Sequence, residues 1–241
     1  MGEGLSKTVL LNADGSLTGR QVALAVPGAL LWSTGSFSLV DLARRNWATG
    51  RKLPVTGTLT AGATYLLGKG KTNFLRLGFK EPTEWTWFGY LKKDDTSADN
   101  AHCPVPIGAY GGASLPGMLC YWPIGVAGFR AQAYDSLGQR TPTVSISSPE
   151  LLKKYCAICT NASLTIKCVT DSSSNTVNFL GPRAPGNLAM RLLSSNSQQF
   201  AGNQGQYHQG FYAFPLTGDQ QEAHWDQVDK HADRDEVVEN A

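Results

Sequence analysis

The densest run of oxygen ligands in the sequence is Lys92-Lys93-Asp94-Asp95-Thr96-Ser97-Ala98-Asp99-Asn100. Four of its side chains, Asp94, Asp95, Asp99 and Asn100, have the chemistry to coordinate Ca²⁺, which takes about six to eight oxygens, or to accept hydrogen bonds from sugar hydroxyls. A solvated β-turn fits the same string, and EF-hand spacing is absent. Aromatic rings supply the other half of a sugar site, because Tyr and Trp present an apolar face with a polar edge. Tyr110, Tyr121 and Trp122 lie in or beside Gly-rich stretches. They complete a set of seven candidate ligand contacts, with packing beneath their own loops as the competing use.

Other reactive residue types do not assemble into a recognisable centre. Cys156-x-x-Cys159 followed by Cys168 invites a zinc reading, but a structural site wants four ligands and no nearby His completes the set. On a strand, residues three apart point to opposite faces, so Cys156 and Cys159 diverge. Five cysteines are an odd number, which reads as buried, reduced thiols and no metal. Of the four histidines, His224 and His231 are seven apart, whereas a helical metal pair wants a spacing of about three or four. G-x-S-x-G is missing, and the serine runs at 172–174 and 194–197 read as loops. Glycoside hydrolysis needs two carboxylates about 5–9 Å apart across the sugar. The strand-like segments are almost free of acids, and Glu81 and Glu84 flank Pro82 in a turn. The expectation is a non-catalytic protein without a resident cofactor, with a glycan-cleaving hydrolase as the rival.

Recognition residues of this kind need a scaffold, and the composition points to strands. Charged residues are 17% of the 241, against about a quarter in typical domains, while there are 26 glycines and 12 prolines. Long amphipathic helices need more charge than this. Short apolar runs recur at 22–26, 36–42, 53–59, 64–67, 74–79 and 85–91, the spacing of a sandwich or barrel. In the last, Trp85, Trp87, Gly89 and Leu91 share one face and Thr86, Phe88 and Tyr90 the other. Both faces are apolar, which marks a central strand. Further strands are expected at 118–122, 128–134, 143–147, 176–180, 190–193 and 209–214. A hairpin over 155–160 and 164–170 closes through Asn161-Ala162. A single helix is expected over about 218–231, because Thr217 and Gln220 form a capping box and Trp225, Val228 and Ala232 repeat at helical spacing. The domain is thus bounded at residues 21–232, with an extended arm at 1–20 and an acidic tail at 233–241.

The net charge of +2 hides an asymmetry: residues 219–241 carry eight acids and two bases, leaving +8 on the rest. The basic residues of the body are scattered, without the aromatic interleaving of a nucleic-acid surface, so no nucleic-acid partner is expected. Neither a secretory leader nor a run of about 18 apolar residues occurs, so the reading is synthesis in a cytoplasm and no membrane insertion.

The closing stretch, with Phe200, Gly202, Tyr212, Leu216, Thr217 and Gln220 through Glu222, resembles the final signature of laminin-G-like, concanavalin A-like jelly-roll domains. There a strand turns through a Y-x-x-x-L-T phrase into a short helix. The resemblance implies an all-β antiparallel sandwich with one C-terminal helix. Free-standing domains of this type look like virion components of tailed bacteriophages: tail tip, fibre or decoration proteins. It implies a homo-oligomer whose partners are other virion proteins and host-surface glycan, with a purely architectural role as the alternative.

Overall fold

Strand β8 (Trp85–Lys93) is the axis of the fold, and its two apolar faces are both used. In the computed structural model, which describes residues 24–34, 44–61, 66–69, 72–93, 103–197 and 203–239, β8 lies between two long antiparallel neighbours. These are β14 (Lys153–Cys159) and β18 (Asn203–Tyr212). The first sheet continues through β15 (Ser163–Cys168) to β16 (Ser173–Asn178) on one side. On the other, β18 pairs with β6 (Leu66–Lys69), which pairs with β5 (Thr60–Ala61). Strand β1 (Ala29–Thr34) also pairs with β18. The second sheet runs in the order β12 (Gly138–Arg140), β11 (Gly128–Asp135), β10 (Leu119–Tyr121), β9 (Ile107–Gly108), β17 (Ala189–Leu192), β7 (Phe74–Lys80) and β4 (Val55–Thr56). Strand β13 (Thr143–Ser145) pairs with β11, and β2 (Arg45–Asn46) with β3 (Arg51–Lys52) forms a small separate ladder.

Alternation along the strands builds two apolar layers. Trp85, Trp87 and Leu91 of β8 meet Tyr155 and Ala157 of β14, Leu164 and Ile166 of β15, and Phe129 and Leu192 of the opposing sheet. This is the sandwich interior. Phe88 points the other way and joins Trp32, Tyr212, Leu216, Trp225 and Val228 in a second cluster, which covers the outer face of the first sheet. The helix α1 (Gly218–Glu239) supplies Trp225 and Val228 to it. Burying such aromatic side chains is worth about 1.5–3 kcal/mol each.

The helix start follows its sequence. Thr217 N–H donates to Gln220 Oε1 at 2.9 Å, and Gln220 N–H donates back to Thr217 Oγ1 at 3.4 Å. Its end does not: α1 runs past residue 231 to Glu239, so most of the stretch read as a solvated tail is helical. After Gly218 no Gly or Pro occurs to stop it.

The hairpin of β14 and β15 has the expected register, with Tyr155 opposite Cys168 and Cys159 opposite Leu164. Cys159 enters the interior and Cys156 the outer cluster, as their odd separation requires. Several strands differ from the reading. Residues 24–26 are not strand, and of the 53–59 run only β4 is strand, with β5 beginning just after it. Gly57 turns the chain there at φ 75°, where a Cβ would sit 2.2 Å from Thr72 O. Strand β18 begins at residue 203, well before 209, because its early core positions are glutamines. Gln204 Nε2 donates to Val105 O at 3.0 Å, and Gln209 Nε2 donates to Pro106 O at 3.1 Å. The expected strand at 176–180 is β16, shifted toward the N-terminus. The arm at 1–20 and the run at 36–42 lie outside the described residues.

Candidate functional site

Helical periodicity places Gln221, Glu222, Trp225 and Asp226 on one stripe of α1, facing the strand edge formed by β15 and β16. Lys167, an outward position of β15, and Ser172 to Ser174, at the β15–β16 turn, face them across a groove of about 460 Å³. Small-molecule sites occupy about 300–1,000 Å³.

Polar contacts hold the walls. Lys167 Nζ donates to Gln221 Oε1 at 3.0 Å, and Gln221 Nε2 donates to Leu216 O at 2.8 Å. Beneath the turn, Lys153 Nζ lies 2.5 Å from Asp171 Oδ1, and Asp171 Oδ2 accepts from Ser147 N–H at 3.0 Å. The Lys153 hydrogen bond holds the Asp171 carboxyl below its ordinary range. Ser172 takes a left-handed φ of 51°, which reverses the chain into β16. On the helix side, Lys154 Nζ bridges to Asp229 at 2.5 Å and lies 5.4 Å from the Trp225 ring centroid. Trp225 itself is 8% exposed. Its indole Nε1 has no hydrogen-bond acceptor among the described residues. Glu222 and Asp226 are exposed.

The helix is pinned by a histidine pair at the base of the same element. His224 is fully buried, with its Nε2 3.0 Å from His208 Nε2 and its Nδ1 3.0 Å from the Tyr212 hydroxyl. Its ring stacks on Phe88 at 3.8 Å, and Trp32 tilts over both imidazoles at 4.5 and 4.7 Å. Gly210 leaves room for it, since a Cβ there would meet His224 Cε1 at 2.6 Å. Burial, followed by the neighbouring His208, holds the His224 pKa well below 6.5.

The sequence-predicted contacts divide three ways. Asp94, Asp95, Asp99 and Asn100 lie outside the described residues. Tyr110 and Tyr121 do meet, but on the outer face of the second sheet, away from the groove. Tyr121 packs with Val105 and Leu119, with Cys103 and Tyr110 against them. Tyr110 stacks on Tyr134 with centroids 6.3 Å apart, and burial is the first of the causes that push the Tyr134 hydroxyl up to about 12. Trp122 is a core residue, which corrects its placement among ligand contacts. It is 2% exposed and sits edge-on to Phe129 at 4.8 Å and Tyr155 at 5.9 Å. Residues 119–121 are strand, so consecutive side chains turn to opposite faces and Trp122 falls inward. Glu81 and Glu84 have structural partners: Glu81 pairs with Arg183 at 2.7 Å, and Glu84 Oε1 accepts from Asn161 N–H at 2.9 Å.

Sequence reasoning missed the groove. The signals were present, in the capped helix carrying Trp225 and in the serine run at 172–174, but nothing in their spacing joins residues about fifty apart.

No family model and no curated protein matches the chain. Among solved structures, the binding domain of botulinum neurotoxin DC in complex with rat synaptotagmin II is similar with a TM-score of 0.59 at 6% identity, over 84% of this chain and 51% of that one. The receptor binding domain of the botulinum neurotoxin C/D mosaic serotype gives 0.59 at 4% identity, over 82% and 50%. The binding domain of neurotoxin DC in complex with SialylT gives 0.53 at 6%, over 74% and 46%. The chain spans about half the length of these structures. At such identities the likeness establishes the all-β sandwich fold.

Proposed function

We propose that this chain is a non-catalytic, sugar-binding β-sandwich module that attaches its carrier to a glycan-bearing surface. The observation that carries this reading is the groove between α1 and the β15–β16 turn, where apolar Trp225 and Val169 lie among hydroxyl, amide and carboxylate groups. Sugars are recognised by that combination of apolar floor and converging polar groups. Two similar folds support it by their own ligands: one is in complex with SialylT, and another belongs to a neurotoxin whose cell entry depends on two ganglioside molecules. Recognition is favoured over hydrolysis because Glu222 and Asp226 stand on the same side of the groove, one helical turn apart. A glycosidase needs its two carboxylates on either side of the scissile bond.

The phage-particle setting and the homo-oligomer rest on the laminin-G-like resemblance, and in that setting the glycan is on the host surface. A protein partner is the second reading, favoured by one observation. Leu137 and Leu180 are 68% and 72% exposed at neighbouring loop tips, with the Leu137 side chain over Gly181. Exposed apolar pairs of this kind mark contact surfaces.

Titration calorimetry against a glycan panel tests the first reading. Ser174→Tyr, at an exposed position, is expected to fill the groove and weaken binding by about tenfold or more without moving the melting temperature. If no sugar binds, or the variant binds as the parent does, the groove is not a sugar site. Removal of binding to a partner protein by Leu137→Ser with Leu180→Ser would establish the second reading.

A further inference from the structure

We infer that the groove selects an uncharged hexopyranose and disfavours sialylated or sulfated sugars, an inference that rests on the sugar-binding reading above. The argument is one of charge and of donor against acceptor. Three charged side chains line the groove: Lys167 on the strand side, and Glu222 and Asp226 on the helix side. Two ion pairs beside the groove neutralise themselves, Lys154 with Asp229 at 2.5 Å and Lys153 with Asp171 at 2.5 Å. Two carboxylates against one ammonium therefore leave the groove with an excess of one negative charge.

The ammonium is also held in place. Lys167 Nζ donates to Gln221 Oε1 at 3.0 Å, and Gln221 is itself anchored to the helix start through Leu216 O. Lys167 keeps two further N–H donors, so the strand side offers one fixed cation against the two carboxylates of the helix. The exposed carboxylates, by contrast, are acceptors that meet no donor among the described residues. Sugar hydroxyls supply such donors, and charge-assisted hydrogen bonds of that kind are the stronger class. A ligand carboxylate or sulfate brings acceptors to face acceptors.

One unit of excess charge at about 8 Å through solvent gives a preference of about two- to tenfold, and it should shrink as salt shortens the Debye length below that distance. The test is calorimetry or native mass spectrometry of the full chain at low ionic strength with matched pairs: lactose against sialyllactose, and N-acetyllactosamine against its sulfated form. The expected result is tighter binding of the neutral member of each pair, with the gap closing at about 0.5 M salt. In Glu222→Gln with Asp226→Asn, which keeps amide acceptors and leaves Lys167 as the one charge lining the groove, the preference is expected to reverse toward the charged member at low salt. Equal or tighter binding of the charged members by the parent chain overturns the inference while leaving the sugar-binding reading intact. Binding of neither member of any pair overturns that reading and the inference with it. A preference for neutral sugars that persists unchanged in the double variant also overturns the inference, because the discriminating charges then lie elsewhere.

Discussion

His208 Nε2 and His224 Nε2 approach to 3.0 Å in a fully buried contact that joins strand β18 to helix α1. One nitrogen donates and the other accepts, so the pair carries a single proton between the two atoms. A neutral His224 that donates from Nε2 leaves Nδ1 to accept from the Tyr212 hydroxyl, and every polar atom in the contact is satisfied. A second proton would place an imidazolium among Trp32, Phe88 and Trp225, where burial and then the neighbouring His208 oppose the charge.

Stability should therefore fall in mild acid. The native His224 pKa is depressed by burial and then by His208, so below the unfolded value of about 6.5 the unfolded chain takes up a proton that the native chain refuses. The unfolded state binds more protons, and stability rises with pH across this window. Its contribution is complete above about pH 6.5 and declines by about 1.4 kcal/mol per pH unit below it, until the native pKa is reached. Asp171, whose pKa Lys153 lowers, loses its contribution only below the ordinary carboxylate range, which separates the two effects. Urea midpoints at pH 7.5, 6.5 and 5.5 measure the slope, which is expected to flatten in His224→Phe. An equal slope in that variant would assign the acid sensitivity to other groups.

The buried ion pair of Glu81 and Arg183 is expected to be the most sensitive polar contact. Their side chains are 0% and 1% exposed, and Glu81 Oε2 also accepts from Met118 N–H at 2.9 Å and Gly186 N–H at 2.8 Å. Arg183 donates further to Tyr134 O and Thr83 O. Glu81 thus fixes the loop after β16 against the start of β10. Removing one partner strands a buried charge, at a cost of about 3–5 kcal/mol. Arg183→Met and Glu81→Gln should each show such a loss in chemical denaturation. The Glu81→Met, Arg183→Met double variant should lose less than the sum, since contacting residues are not additive.

How much of this was legible follows from the range of each signal. The two-faced β8, the β14–β15 hairpin and the Thr217–Gln220 cap depend on neighbours within a few residues, and the structure has all three. The His208–His224 contact spans sixteen residues and no motif spacing announces it. The groove joins 167–174 to 221–226 only because β8 and β14 carry the hairpin beneath the helix. Early β18 was hidden by its glutamines, which are inward-facing yet polar because each finds a partner inside.

The thiols should be inert in the native state. Burial drives Cys156 and Cys159 up to about 12 and raises Cys120 well above 9.0, so none of the three is a thiolate at neutral pH. Cys103 is partly exposed and should react first. Titration with a disulfide reagent at pH 8 is expected to modify Cys103 slowly and the other four only on denaturation. Rapid labelling of Cys156 would contradict its placement beneath α1.

Adjacent residues Tyr121 and Trp122 give the sharpest test of strand parity. Trp122 points into the sandwich against Phe129 and Tyr155, whereas Tyr121 lies on the outer face of the second sheet beside Val105 and Leu119. Trp122→Ala opens a cavity in the sandwich interior and is expected to cost about 3–5 kcal/mol. Tyr121→Phe keeps the ring and deletes one hydroxyl, for a cost of about 0.5–1.5 kcal/mol. Sugar binding through the α1 groove should survive both changes in the fraction that remains folded, since neither residue belongs to the first sheet. Urea melts followed by circular dichroism measure the two costs, and calorimetry below the transition measures binding. Comparable losses from the two substitutions would mean that residues 119–122 do not alternate as a strand. A loss of sugar affinity in Tyr121→Phe at unchanged stability would move the binding surface to the second sheet.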